Sequence, residues 1–289
     1  MLFRSFTLSR DNVNGVSYRL RRGGSGPAIM LLHGRPQTHV MWHKVAPSLT
    51  ASHTVLCPDL HPDRPIAQQS RDLLMLASQQ GHDELIVAGH DYGAFIACQM
   101  ALDSPERIKG LVLLEALPFM DHQGRDDMAY SLAHYASCWF GQLHPKSEAS
   151  LFEQSAAWLA SSSRSRDIFS PEAILDYTTT SLWKGSVAAP AKVSLRPIIC
   201  PLHVLWGKGG RIGGWYDPLN LWRQAVTGSV TGHSINAEHF LPEENPTEVI
   251  AAFEDFLAMN GQSSRFTVSG KQRSDERCAI RANTKQAQH

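Results

Sequence analysis

The sequence predicts an α/β domain with a mostly parallel, doubly wound sheet and an inserted helical cap. Three observations carry this. Short apolar runs alternate with helix-length segments, the alternation stops between about 118 and 197, and a glycine-flanked aspartate follows directly on one of the runs.

Residues 3–10 (FRSFTLSR) and 16–22 (VSYRLRR) alternate apolar and polar around an Asn-Gly pair, which predicts an antiparallel hairpin. The runs 28–32 (AIMLL), 54–56 (TVL), 84–88 (ELIVA) and 111–114 (LVLL) are apolar almost throughout, as strands covered on both faces must be. Helix-length segments lie among them, around 43–50, 68–80 and 93–103. Strands separated by helices pair in parallel through right-handed crossovers. A further strand is expected at 202–206 (LHVLW), then helices over 217–226 and 245–258. The stretch 118–197 is rich in Ser, Ala, Tyr and Trp. It reads as short helices lying over the strands' C-terminal ends, where open α/β sheets hold ligands. Residues 261–289 carry scattered polar residues and one aromatic, Phe266, too little apolar surface to offset the entropy of ordering. The expected division is a core of 1–117 and 198–260, a cap of 118–197 and a disordered tail of 261–289.

Lysine plus arginine equals aspartate plus glutamate at 27 each, so the formal net charge is zero. That argues against a surface that tracks nucleic-acid phosphates or an anionic membrane. The five cysteines (Cys57, Cys98, Cys138, Cys200, Cys278) are odd in number, widely spaced and without metal-ligand spacing. They are expected as free thiols in a reducing, cytoplasmic compartment. The first residues lack a signal peptide's apolar run, and no stretch nears the roughly 18 apolar residues that span a bilayer. A soluble protein is expected.

Gly89-His90-Asp91-Tyr92-Gly93 sits directly after a buried strand and directly before a helix. This is the small-x-nucleophile-x-small pattern of a nucleophile elbow, with Asp91 where serine is usual. The competing explanation is an aspartate that caps the following helix, with glycines easing the turn. The later chain order favours the elbow. Glu238-His239-Phe240-Leu241-Pro242 precedes the final helix, where a catalytic base would be presented, and His239 stands out among fourteen histidines by that position. Glu115 closes the strand after the nucleophile and is favoured as the acid that orients His239. Asp217 is its competitor, yet it resembles a helix start. Asp59, Asp83 and Asp103 read as turn or cap residues. Arg35 follows His33-Gly34 at the end of another buried run, so its backbone N–H, beside that of Tyr92, is expected to form an oxyanion hole. Trp42 and Phe95 are candidates for lining the substrate site.

At these residues the chain resembles the haloacetate (fluoroacetate) dehalogenase branch of the α/β-hydrolase superfamily, close kin of epoxide hydrolases. The stretches that carry the resemblance are 31–47 (LLHGRPQTHVMWHKVAP), 88–94 (AGHDYGA), 101–118 (ALDSPERIKGLVLLEALP), 218–224 (PLNLWRQ) and 238–246 (EHFLPEENP). The resemblance places the family's nucleophile on Asp91, its base on His239 and its acid on Glu115, where aspartate is usual. The departures fall on substrate recognition. The family's carboxylate clamp is two arginines, one and four residues after the nucleophile, and here those positions are Tyr92 and Phe95. Its His-Trp halide cradle corresponds to Ala136 and Ser137, and a third cradle residue, a tyrosine, falls near Leu182.

An aspartate is ionised near pH 7 and can displace a leaving group at saturated carbon without a base. The expected chemistry is therefore an ester on Asp91, hydrolysed by a water that His239 activates. Carbon–halogen bonds are the first expectation and epoxides the alternative; a non-catalytic ligand-binding homologue is a third. An epoxide would need an acidic cap hydroxyl. Tyr135 lies one residue from the spacing at which epoxide hydrolases place theirs, with Tyr130 and Tyr177 as weaker candidates. The substrate is expected to be small, neutral and apolar, with water as co-substrate and no metal or organic cofactor. Neither nucleic acid nor membrane is expected as a partner, and a homodimer is left open.

Overall fold

The computed structural model describes residues 2–118, 163–180, 182 and 197–260. Two compact units divide the chain after Ile250. In the second, residues 251–260 are helical; the expected tail of 261–289 lies outside the described residues.

The first unit opens with the hairpin β1 (Thr7–Val13) and β2 (Val16–Gly23), paired antiparallel. Asn14 and Gly15 both have positive φ, 51° and 81°, which is what a two-residue turn needs to match the strands' twist. The hairpin begins later than the sequence pattern suggests. Residues 3–6 leave the strand because the Phe3 ring packs against Phe6 and His39 and lies beneath Arg21. Next come β3 (Ala28–Leu32), a 3-10 turn (His39–Trp42), α1 (Ala46–Leu49) and β4 (Thr54–Pro58). They are followed by α2 (Ile66–Gln79), β5 (Leu85–His90), α3 (Tyr92–Asp103) and β6 (Ile108–Leu114). All ten residues of β3 and β4 are buried, which accounts for their lack of alternation.

Two helices of the insertion are described, α4 (Ser163–Ile168) and α5 (Pro171–Thr179). The sheet resumes with β7 (Leu202–Gly207), then α6 (Arg211–Trp215), α7 (Pro218–Ala225), β8 (Val230–Ile235) and α8 (Leu241–Glu244). The sequence gives no apolar run for β8, since it is an edge strand with only Ile235 buried.

Among the described residues the sheet order is β1-β2-β4-β3-β5-β6-β7-β8, parallel from β4 onward. The chain steps from β3 to β4 on one side, then crosses to β5 on the other, so β3 and β5 flank the switch point where such sheets open a ligand crevice. Register does the rest. Leu32 pairs with Gly89, His90 with Leu114, and Leu114 with Leu205, which brings the loops after β3, β5, β6 and β7 side by side.

Asp59 departs from the turn-or-cap role expected of it. It is buried just past β4, where it accepts from the His39 N–H and the His39 ring (both 2.8 Å) and from Arg19. The far edge of the Arg19 guanidinium reaches α5, with Nη1 and Nη2 donating to the two oxygens of Asp176 (2.9 and 2.7 Å). Thr38 adds a bond to the same carboxylate at 2.6 Å. One partly buried charge cluster thus ties β2, the end of β4, the 3-10 turn and an insertion helix together.

Burial pushes the Asp59 carboxyl up, but His39 and Arg19 hold it well below the usual carboxylate range. Its contribution is therefore present above the unfolded carboxylate pKa of about 3.9 and is lost as pH falls below it. Asp59→Ala removes the acceptor of the His39 N–H, the His39 ring and Arg19 Nε, while Arg19 keeps Asp176, and should lower stability by about 1–3 kcal/mol at pH 7. Urea unfolding at pH 7 and pH 3 checks this: the gap to wild type should shrink at pH 3. A loss under about 1 kcal/mol at pH 7 would contradict the role.

Candidate active site

Asp91 leaves β5 with φ 46° and ψ −114° and heads α3, yet its side chain makes no helix-capping bond. The capping explanation therefore fails, and the carboxylate is turned toward the loop after β3. The flanking glycines are required by close packing. A Cβ on Gly89 would lie 2.4 Å from the Gly93 carbonyl oxygen, and one on Gly93 would lie 2.5 Å from that of Leu32.

The β3 loop meets the elbow through Arg35, whose N–H donates to Asp91 Oδ2 at 3.1 Å. Its side chain follows: Nε is 3.5 Å from the same oxygen, and the guanidinium lies 5.8 Å over the Tyr92 ring. Tyr92 itself is buried in the core, its hydroxyl accepting from Gln69 at 2.9 Å. Its N–H belongs to the first turn of α3, where donors point out of the helix end. Burial raises the Asp91 carboxyl, but the Arg35 charge, then His239 and the Arg35 N–H, hold it well below the usual carboxylate range. It is a fixed anion.

Glu115 follows β6 at φ 51°. Its Oε1 accepts the Gly207 N–H at 2.7 Å, and its Oε2 lies 3.2 Å from His239 Nδ1. Asp217 instead caps α7, accepting the Asn220 N–H. The geometry thus brings Asp91, Glu115 and His239 to one end of the sheet and leaves Asp217 outside. With Nδ1 held by Glu115, the other ring nitrogen of His239 is the one available for proton transfer.

Sequence reasoning missed two supports of His239. Glu244, in the first turn of α8, accepts the N–H groups of Glu238 (2.8 Å), His239 (3.1 Å) and Phe240 (2.7 Å), so one carboxylate fixes three successive amides of the histidine loop. His90, fully buried, has Nε2 2.7 Å from the His239 carbonyl, and burial lowers its pKa to about 3. As a neutral ring it donates to that carbonyl. The available signal for Glu244 was an acidic residue opening a helix directly behind the histidine.

The candidate lining residues are distributed unevenly. Trp42 is fully buried in the 3-10 turn, and Phe95 is half-buried against the main core. Tyr135, Tyr130, Ala136 and Ser137 lie outside the described residues. Tyr177, on α5, is buried and donates to Glu243 at 2.6 Å. Glu243 is itself buried, and its carboxyl is pushed up by that burial to about 7, with Lys44 nearby at 3.1 Å opposing the rise. Among the described residues no cluster of three His, Cys, Asp or Glu could hold a metal ion, and no helix is long and apolar enough to cross a membrane.

Residues 27–246 match the alpha/beta hydrolase fold family. The chain belongs to that family and is a hydrolase of it. It is 26% identical to a soluble epoxide hydrolase of Corynebacterium sp. (strain C12), covering 85% of this chain and 95% of the relative. It is 25% identical to a fluoroacetate dehalogenase of Burkholderia sp., covering 89% and 95%. A solved structure from Nostoc sp. PCC 7120, assigned to the alpha/beta hydrolases, is 31% identical over 87% of this chain and 98% of its own, with a TM-score of 0.75.

Burial disfavours the His239 cation, but the Glu115 hydrogen bond and charge, with those of Asp91 and Glu244, outweigh it and raise the pKa above the ordinary histidine value. An NMR titration of the imidazole should place His239 above about 6.5. Its midpoint should move down in Glu244→Gln and further down in Glu115→Gln. A midpoint that ignores both substitutions would contradict this electrostatic arrangement.

Proposed function

We propose that this hydrolase works through an ester on Asp91, acting at saturated carbon in small, neutral, fairly apolar substrates. The observation that carries the proposal is the placement of the Asp91 carboxylate. It forgoes the helix cap, rests Oδ2 on the Arg35 N–H, and leaves Oδ1 without a hydrogen bond from the described residues. Oδ1 is then the attacking atom, and the leaving group departs from the far side of the carbon. A water activated by His239, oriented by Glu115, hydrolyses the ester, and the N–H groups of Arg35 and Tyr92 receive the charge that develops on Oδ2.

The preference for neutral substrates follows from the two positions after the nucleophile. Tyr92 turns its side chain into the core and Phe95 packs against it, so neither offers a cation to offset the desolvation of a substrate carboxylate. Carbon–halogen bonds are the first substrate class on the strength of the sequence stretches shared with haloacetate dehalogenases.

Epoxide opening is the second reading. It is favoured by the spacing of Tyr135 from Asp91 and by the relative named as a soluble epoxide hydrolase. A tyrosine hydroxyl there would protonate the opening oxygen.

Replacing His239 with Gln removes the base for the second step only. Mixed with 1-bromohexane, the His239→Gln protein should gain the mass of one hexyl group, located on Asp91 by peptide mapping, and should gain nothing from fluoroacetate. Absence of an Asp91 adduct from both 1-bromohexane and 1,2-epoxyhexane would sink the nucleophile assignment, and an adduct from fluoroacetate would sink the preference for neutral substrates.

Tyr135→Phe separates the two substrate classes. If epoxides are substrates through Tyr135, this change should cut adduct formation from 1,2-epoxyhexane by about a hundredfold and spare 1-bromohexane. Equal epoxide rates in the two proteins would remove the case for ring opening by Tyr135.

A further inference from the structure

We infer that the Arg35 side chain is a charged element of the oxyanion hole, acting on hydrolysis of the aspartyl ester and not on its formation. The inference rests on the aspartate-nucleophile reading above. Arg35 presents two nitrogens to one oxygen: the backbone N–H at 3.1 Å and the guanidinium Nε at 3.5 Å from Asp91 Oδ2. The guanidinium is held in place by the Tyr92 ring beneath it, and the side chain is 30% exposed, so it lies at the rim of the site. Both contacts fall on Oδ2, the oxygen that stays behind as the ester carbonyl once Oδ1 has bonded to substrate carbon.

The sign of the effect follows from where charge sits at each stage. In the resting enzyme Asp91 is an anion and Arg35 stabilises it, which opposes attack by Oδ1. In the ester the charge is gone. When water adds to Cγ, His239 takes one of its protons and the carbonyl π pair moves onto Oδ2, directly against Arg35. As that pair returns, the Cγ–Oδ1 bond breaks, and Oδ1 leaves on the substrate carbon as an alcohol, taking the proton from His239. The remaining water proton passes to solvent as the carboxylate re-forms. A cation at Arg35 is therefore neutral or unfavourable for the first half-reaction and favourable for the second. A simple hydrogen-bonding or folding role would not split the two steps in this way.

Single-turnover mass spectrometry with 1-bromohexane and with 1,2-epoxyhexane reads both steps in wild type, Arg35→Gln and Arg35→Lys. In Arg35→Gln the ester should form at least as fast as in wild type and decay about tenfold to a hundredfold more slowly, so that it accumulates. Arg35→Lys, which keeps a charge on a shorter reach, should recover part of the decay rate. Unchanged ester decay in Arg35→Gln, or formation and decay slowed alike, would overturn the inference while leaving Asp91 as nucleophile. No Asp91 adduct in wild type or in His239→Gln with either probe would overturn both.

Discussion

At the end of β5 the chain turns through Asp91 at φ 46° and ψ −114°, a conformation that costs a non-glycine residue about 1–3 kcal/mol. The strain is held by packing on every side. Gly89 and Gly93 have no room for a Cβ, and a Cβ on Gly34 would lie 2.4 Å from His90 Nδ1 and 2.9 Å from Asp91 Cβ. The consequence is that a helix which would ordinarily take its first residue's carboxylate as a cap instead presents it to a neighbouring loop. Everything else in the site is arranged around that displaced anion.

The surrounding charges divide into two sets with different tasks. Arg35 and its N–H hold Asp91 ionised from the β3 side. Glu115 and Glu244 act on His239 from the β6 side and from α8, one through the ring and the other through three backbone amides. Parallel register makes this convergence inexpensive, since the loops carrying Arg35, Asp91, Glu115 and His239 follow β3, β5, β6 and β8, which lie in one run of the sheet with β7 between the last two. The Arg19–Asp59–Asp176 cluster has a different task. It joins the sheet to an insertion helix through the bidentate Arg19–Asp176 pair, whose fork geometry fixes orientation.

The sheet was legible because burial on both faces leaves a one-dimensional trace: five apolar runs at the expected spacing became β3 to β7. Asp91, Glu115 and His239 were legible for a different reason, since each closes or follows an element and chain order fixes their sequence. What escaped was whatever depended on side-chain reach. Asp59 looked like a turn residue because nothing local announces Arg19, 40 residues away in sequence. Edge strand β8 has no buried run to betray it, and Glu244 acts through backbone amides, which carry no residue signature. Arg35 was visible as a backbone donor, but not as a guanidinium folded back onto Asp91.

Catalysis through an ester on Asp91 would exchange one oxygen of that carboxylate in each turnover. A single turnover in heavy-oxygen water, with enzyme in excess over substrate, tests it directly by mass spectrometry of the peptide that contains Asp91. Covalent catalysis places the heavy atom in the Asp91 carboxylate and an ordinary oxygen in the released alcohol. Heavy oxygen in the first product alcohol, with none in Asp91, would mean that water attacks the substrate itself and would contradict the ester.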